Sequence, residues 1–279
     1  MALTIHIDRW VERSEQDFYM LFVKTWIPFN AWYKREIAPS TLKGQDRECI
    51  NYICTHSNTY KDKILSYLNG TDRQSVRFKQ EVADLHEALL AHTIPNSSCP
   101  INFKTTTIFD LSNPLEEGDF YSIHYKIERT ETAPGSGRYQ YSIRVEDKNT
   151  HATKYTRGVH TWNKAAIESD SHFMSLSEAI RKRLLECYST VNPISPTNVV
   201  MTPVIRNGVK VAPPHSFVLD KDRHFYFIED KDKICQVLIQ LIYNLRCQIF
   251  HGSLDPSTAN MPVYEHAYNI QRMIITELH

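Results

Sequence analysis

The chain has 279 residues, with 32 Lys and Arg balanced by 32 Asp and Glu, and 42% hydrophobic and 11% aromatic residues. That is enough chain for one large domain or two small ones, and the cancelling charges leave no global basic field, so any nucleic-acid role must rest on a local patch. There is no apolar run of the roughly 18 residues a membrane span needs and no signal-peptide core in MALTIHIDRWVERSEQD, while six dispersed Cys point to reduced thiols in a cytoplasmic protein without a membrane partner.

Residues 14–36 carry Phe18, Leu21, Phe22, Thr25, Trp26, Phe29, Trp32 and Tyr33 at helical spacing, which predicts a helix with one broad apolar face. Pro28 lies inside it and predicts a kink or a helix in two pieces. A loop with Pro39 and Gly44 leads to helical stretches at 46–54 and 71–92, the second bearing Val76, Phe78, Val82, Leu85, Leu89 and Leu90. Near residue 100 the period changes. In 120–128, Tyr121, Ile123, Tyr125 and Ile127 alternate with polar residues, and in 139–146 Tyr139, Tyr141, Ile143 and Val145 do the same. These are half-buried strands joined by a loop at Pro134–Gly137, with a third strand expected at 152–160. The four tyrosines are expected on the core face; base stacking is the rival role.

Helix returns at 176–189, where Ser175 and Glu178 are spaced as a capping box. Residues 199–212 read as a hairpin turning at Asn207-Gly208, with Pro203 confining its strand to an edge. Two helices close the chain, at 231–251 and 262–278. Because helices bury their apolar stripes against one another, the expected fold is α+β. Residues 1–95 and 230–279 form a discontinuous helical bundle, interrupted by an antiparallel β-rich insertion at 100–228.

Motifs with a known chemistry are few. No Gly-rich phosphate loop and no GxSxG elbow occurs. His86-Glu87 opens like a zinc-protease helix, but His92 is six residues on, about 240° round the helix, so the two imidazoles do not share a face. Cys49, Cys54 and His56 offer three zinc ligands where a structural site wants four. One stretch stands apart: Asn244-Leu245-Arg246-Cys247-Gln248-Ile249-Phe250-His251-Gly252. Gly252 sits where a C-cap glycine ends a helix, so His251 falls on the last turn, where the dipole favours an imidazolium. Arg246 carries a permanent planar charge suited to phosphate. The plainer reading is a basic residue stabilising a helix end. Neither Arg246 nor His251 is expected in the core.

An Arg, four intervening residues and a His followed by Gly, on the penultimate helix of a helical domain, resembles the motif of the HEPN superfamily (higher eukaryotes and prokaryotes nucleotide-binding), often of the form RNxxFHG. Arg246 and His251 match its charged pair, and Phe250 and Gly252 match its common surroundings. The aromatic WIPFNAWY at 26–33 is similar to a first helix of that superfamily, and the resemblance covers roughly 10–93 and 230–279. Cys247 departs from the usual polar residue, and Ser253 stands where a modifiable His-x-Tyr would place Tyr, so the ribonuclease branch is the one resembled.

The resemblance implies a HEPN-like bundle acting as a metal-independent endoribonuclease on single-stranded RNA, with no cofactor. The site is a composite one in a homodimer, with Arg246 and His251 catalytic and Asn244 and Gln248 flanking them toward substrate. It implies a setting in toxin action or antiviral defence, with a regulatory protein or antitoxin as a further partner. The insertion is left open between substrate recognition, gating and regulator binding. The rival is a non-catalytic HEPN-like adaptor for RNA, a nucleotide or a protein, which the neutral charge balance favours. Arg181-Lys182-Arg183, or Arg73, Arg77 and Lys79, would supply a basic patch in either case.

Overall fold

The computed structural model describes residues 17–37, 46–96, 99–132, 138–254 and 256–278. The loops predicted around Pro39 and Gly44 and at Pro134–Gly137 lie outside them. The protein is α+β with antiparallel sheets, and it falls into two compact units. One is drawn from the segments up to Ile108 and from Pro196 on; the other is Phe109–Ser195. Each has its own apolar core.

The first unit is mainly helical. Helix α1 (Phe18–Trp32) is capped by Asp17, whose carboxylate accepts from the Met20 amide, and buries Phe22, Thr25, Trp26, Phe29 and Trp32. It runs unbroken past Pro28 and continues as a π turn, Tyr33–Ile37. Helix α2 (Asp46–Thr55) is followed by α3 (Thr59–Asn69), which the periodicity above did not predict. Asn58 joins them: its Oδ1 accepts from the Lys61 amide and its Nδ2 donates to the Ile53 carbonyl at 2.8 Å. Helix α4 (Arg73–Ala91) is capped by Asp72; Phe78, Val82, Leu85 and Leu89 are buried, whereas Val76 and Leu90 face solvent.

The second unit opens after strand β1 (Thr107–Phe109). Strands β2 (Leu115–Phe120), β3 (Ile123–Glu131), β4 (Tyr139–Asp147) and β5 (Thr153–Val159) form an antiparallel meander in that order. Tyr125, Tyr141 and Tyr155 point into its core. Tyr121 does not; it is 78% exposed in the β2–β3 turn, with a φ of 53°. Two short helices, α5 (Lys164–Glu168) and α6 (Ser171–Met174), precede α7 (Glu178–Thr190), which buries Leu184, Cys187 and Tyr188. The expected capping box is absent: Ser175 closes α6, its hydroxyl donating to the His172 carbonyl at 2.7 Å, and α7 begins from Ser177 without a side-chain cap.

Strand β6 (Ile194–Pro196) pairs with β1. Back in the first unit, β7 (Val200–Met201), β10 (Ser216–Asp220) and β11 (Phe225–Ile228) form a small sheet in the order β10-β11-β7. Between them β8 (Val204–Arg206) and β9 (Val209–Val211) make the hairpin expected at Asn207-Gly208, both with positive φ. Residues 196–228 therefore belong with the helices, although periodicity alone groups them with the insertion. Helix α8 (Lys231–Phe250) crosses the unit and α9 (Met261–Ile275) closes it against α1 and α4. Among the described residues no helix is long and apolar enough to cross a membrane.

His86 on α4 faces the small sheet. Its ring lies edge-on to Phe103, Phe225 and Phe227, with centroids at 5.6, 4.9 and 5.5 Å, and its Nδ1 has no hydrogen-bond partner. Burial pushes its pKa down to about 4. A folded pKa below the unfolded value of about 6.5 means the neutral ring stabilises the fold above that pH. Acidification from pH 6.5 toward 4 should therefore remove about 3 kcal/mol of stability at this position. Urea denaturation of the wild type and His86→Leu across that range checks this: the variant should lack that part of the pH dependence.

Candidate active site

Helix α8 is buried from Ile234 to Leu245 except for Gln236, whose Oε1 has no hydrogen-bond partner. Gln240 donates to Asn51 Oδ1 at 2.8 Å and accepts from Arg47 at 3.3 Å. The helix reaches the surface in its last turns. Arg246 and Cys247 are half-buried, Phe250 is exposed, and His251 is the exposed C-cap residue. Termination follows the Schellman pattern: the Gly252 amide donates to the Ile249 carbonyl and the Ser253 amide to the Gln248 carbonyl, both at 3.1 Å, with Gly252 at φ 64°. A Cβ at Gly252 would meet open space, so the left-handed backbone, not crowding, is what favours glycine there.

Arg246 is not a free surface cation. Its side chain is 15% exposed and its NH2 donates to Asp46 Oδ2 at 3.2 Å. The guanidinium carbon lies 4.1 Å from the Phe250 ring centroid and 5.5 Å from that of Trp26. Asp46, at the start of α2, also accepts from Tyr33 at 3.1 Å and pairs with Lys34 Nζ at 3.2 Å. Burial first, and then the Asp46 carboxylate, push the Tyr33 phenol well above the usual range, so it stays a donor. Two donors here lack partners: Arg246 Nε and Trp26 Nε1 are buried with nothing to accept from them. Arg246 is therefore half-buried at the margin of the core, with aromatic rings and a carboxylate against it.

Asn244 and Gln248, expected to flank the substrate, are both buried in the helix. Within the motif His251 is exposed, while Arg246 and Cys247 are half-buried. A step of five residues turns an α-helix by about 140° and raises it about 7.5 Å. The Arg246 and His251 side chains therefore leave α8 on different sides. Of the other expected clusters, Cys49 and Cys54 are buried while His56 is exposed and stacked on Tyr52, so these three do not form a ligand set. In the basic runs, Arg183 bonds the Tyr125 hydroxyl, Arg181 contacts Met174, and Lys79 donates to the Gly70 carbonyl.

Sequence reasoning missed Asp46 as the counter-ion of Arg246, since a residue 200 positions away carries no local signal. It also missed Glu81, Asp84 and His266, whose possible ligand atoms all lie within 4.8 Å of one another. Comparison with family models, with curated proteins and with solved structures finds no match to this chain.

The unequal environments of the two motif residues separate their effects on stability. Arg246→Ala loses an ion pair and packing on two rings and should cost about 1–2 kcal/mol. His251→Ala, at an exposed position, should stay within about 0.5 kcal/mol of the wild type. Equilibrium urea denaturation at neutral pH measures both.

Proposed function

We propose that this chain is a metal-independent endoribonuclease of the HEPN type, cutting single-stranded RNA in a site assembled from two copies. The observation that carries the proposal is the emergence of α8 from the core, which brings Arg246, with a side chain 15% exposed, and the exposed His251 to the surface at one helix end. RNA cleavage needs a base for the 2′-hydroxyl proton, an acid for the leaving 5′-oxygen and positive charge at the phosphorane. One chain offers one imidazole, turned away from its own Arg246. A two-fold dimer supplies the second His251 and the second Arg246. One His251 accepts the 2′-hydroxyl proton as the 2′-oxygen attacks phosphorus; the other protonates the departing 5′-oxygen. Arg246 contributes its positive charge to the phosphate, with Asp46 paired to its NH2.

The rival reading, a HEPN-like adaptor without catalysis, draws on a specific observation as well. Asp46 already pairs with Arg246, and several cations of the basic runs are tied to neighbours. A protein so internally neutralised binds RNA weakly through charge alone. The two readings part on turnover.

Cleavage of labelled single-stranded RNA should persist in excess chelator, leave a 2′,3′-cyclic phosphate, and spare DNA of the same sequence. Binding without cleavage would favour the adaptor; loss of cleavage in chelator, restored by magnesium, would exclude this mechanism. A forced heterodimer with one His251→Ala protomer should be nearly inactive, since general acid–base contributions are about 10²- to 10⁴-fold. Half of the wild-type rate would show that each chain carries its own complete site.

A further inference from the structure

We propose that Glu81, Asp84 and His266 bind one divalent transition-metal ion, zinc in first place. The site is independent of the ribonuclease reading. Glu81 and Asp84 are three residues apart on α4, so they share a face, and His266 comes from α9, which packs against it. Two ligands about 2.1 Å from one ion lie at most about 4.2 Å apart. The observed group, within 4.8 Å, reaches that by a small side-chain adjustment.

The donor set fits zinc. An imidazole nitrogen and two carboxylate oxygens are all ligand types that zinc takes, with a fourth position for water. Magnesium and calcium would call for oxygen alone. The carboxylates are also oriented from behind, as metal-binding carboxylates are. Asp84 Oδ1 accepts from Gln80 at 3.0 Å and from Arg223 at 2.7 Å; Glu81 Oε2 accepts from Asn269 at 3.2 Å and contacts His266 Nδ1 at 2.9 Å.

Charge points the same way. Arg223 contacts Asp84, Glu87 and Asp220 at once, and Arg77 stands 4.0 Å from Glu81. Two arginines thus face four carboxylates, and the surplus is negative. An incoming cation would offset that surplus, and His266 Nδ1 already lies 2.9 Å from Glu81 Oε2.

The test uses the full chain stripped with chelator, dialysed against Zn²⁺, and against Co²⁺ for its visible bands. Wild type should bind one equivalent more than His266→Ala, or bind it at least about tenfold more tightly, with cobalt bands absent from the variant. Asp84→Asn keeps an acceptor for Arg223 and serves where His266→Ala loses its fold; it should weaken binding in the same direction. Equal stoichiometry and affinity in the wild type and Asp84→Asn, or no binding by the wild type, would overturn the proposal.

Discussion

The first unit is organised around a helix that has almost no solvent face. From Ile234 to Leu245 helix α8 is enclosed by α1, α2, α3 and β11, so its position is set on all sides. An amphipathic helix needs one complementary surface; a helix buried all round needs every neighbour in place. Gln240 within it is paired with Asn51 and Arg47, and at its entrance Asp232 is met by Lys61 of α3 at 2.7 Å. Buried polar groups left unpaired would cost more than their bonds gain.

This enclosure determines what the end of α8 presents. The helix leaves the core at Arg246, stops at the Schellman turn around Gly252, and exposes His251 and Phe250. Arg246 is held in one orientation by Asp46 below and by the rings of Phe250 and Trp26 beside it. Such fixing lowers the entropy that a phosphate ligand would otherwise have to remove, while the Asp46 charge lowers the attraction for that phosphate. The same arrangement therefore raises geometric precision and reduces electrostatic affinity.

In the second unit charge and apolar surface are sorted by the pleat. Tyr125, Tyr141 and Tyr155 lie in one core with Leu184, Cys187 and Tyr188 of α7. They are not available to stack bases. On the other face His124 contacts Asp119 and Glu117 on β2, at 2.9 and 3.2 Å, and Lys148 pairs with Asp119. These cross-strand contacts explain why the segment Leu115–Phe120, with two glutamates, an aspartate and a glycine, forms an edge strand despite its weak intrinsic preference.

Wherever local periodicity and turn chemistry agreed, the amino-acid sequence alone determined the outcome. Helices α1, α2, α4, α8 and α9, the alternating strands β3 and β4, the Asn207-Gly208 hairpin and the Gly252 stop are all legible without tertiary information. Helix α3 carries its own local signals, an Asn58 cap and Tyr60, Ile64, Tyr67 and Leu68 at helical spacing. Other features were decided only by contacts between distant segments. Pairing with β3 makes β2 a strand, α6 takes Ser175 away from the expected capping box, and packing on α4 draws residues 196–228 to the helices. The motif Arg246–His251 was visible as letters, but not the carboxylate of Asp46 that neutralises it, nor the burial of Asn244 and Gln248. The physical reason is range: helix period, caps and turns act over a few residues, whereas burial and ion pairing depend on which surfaces the completed fold brings together.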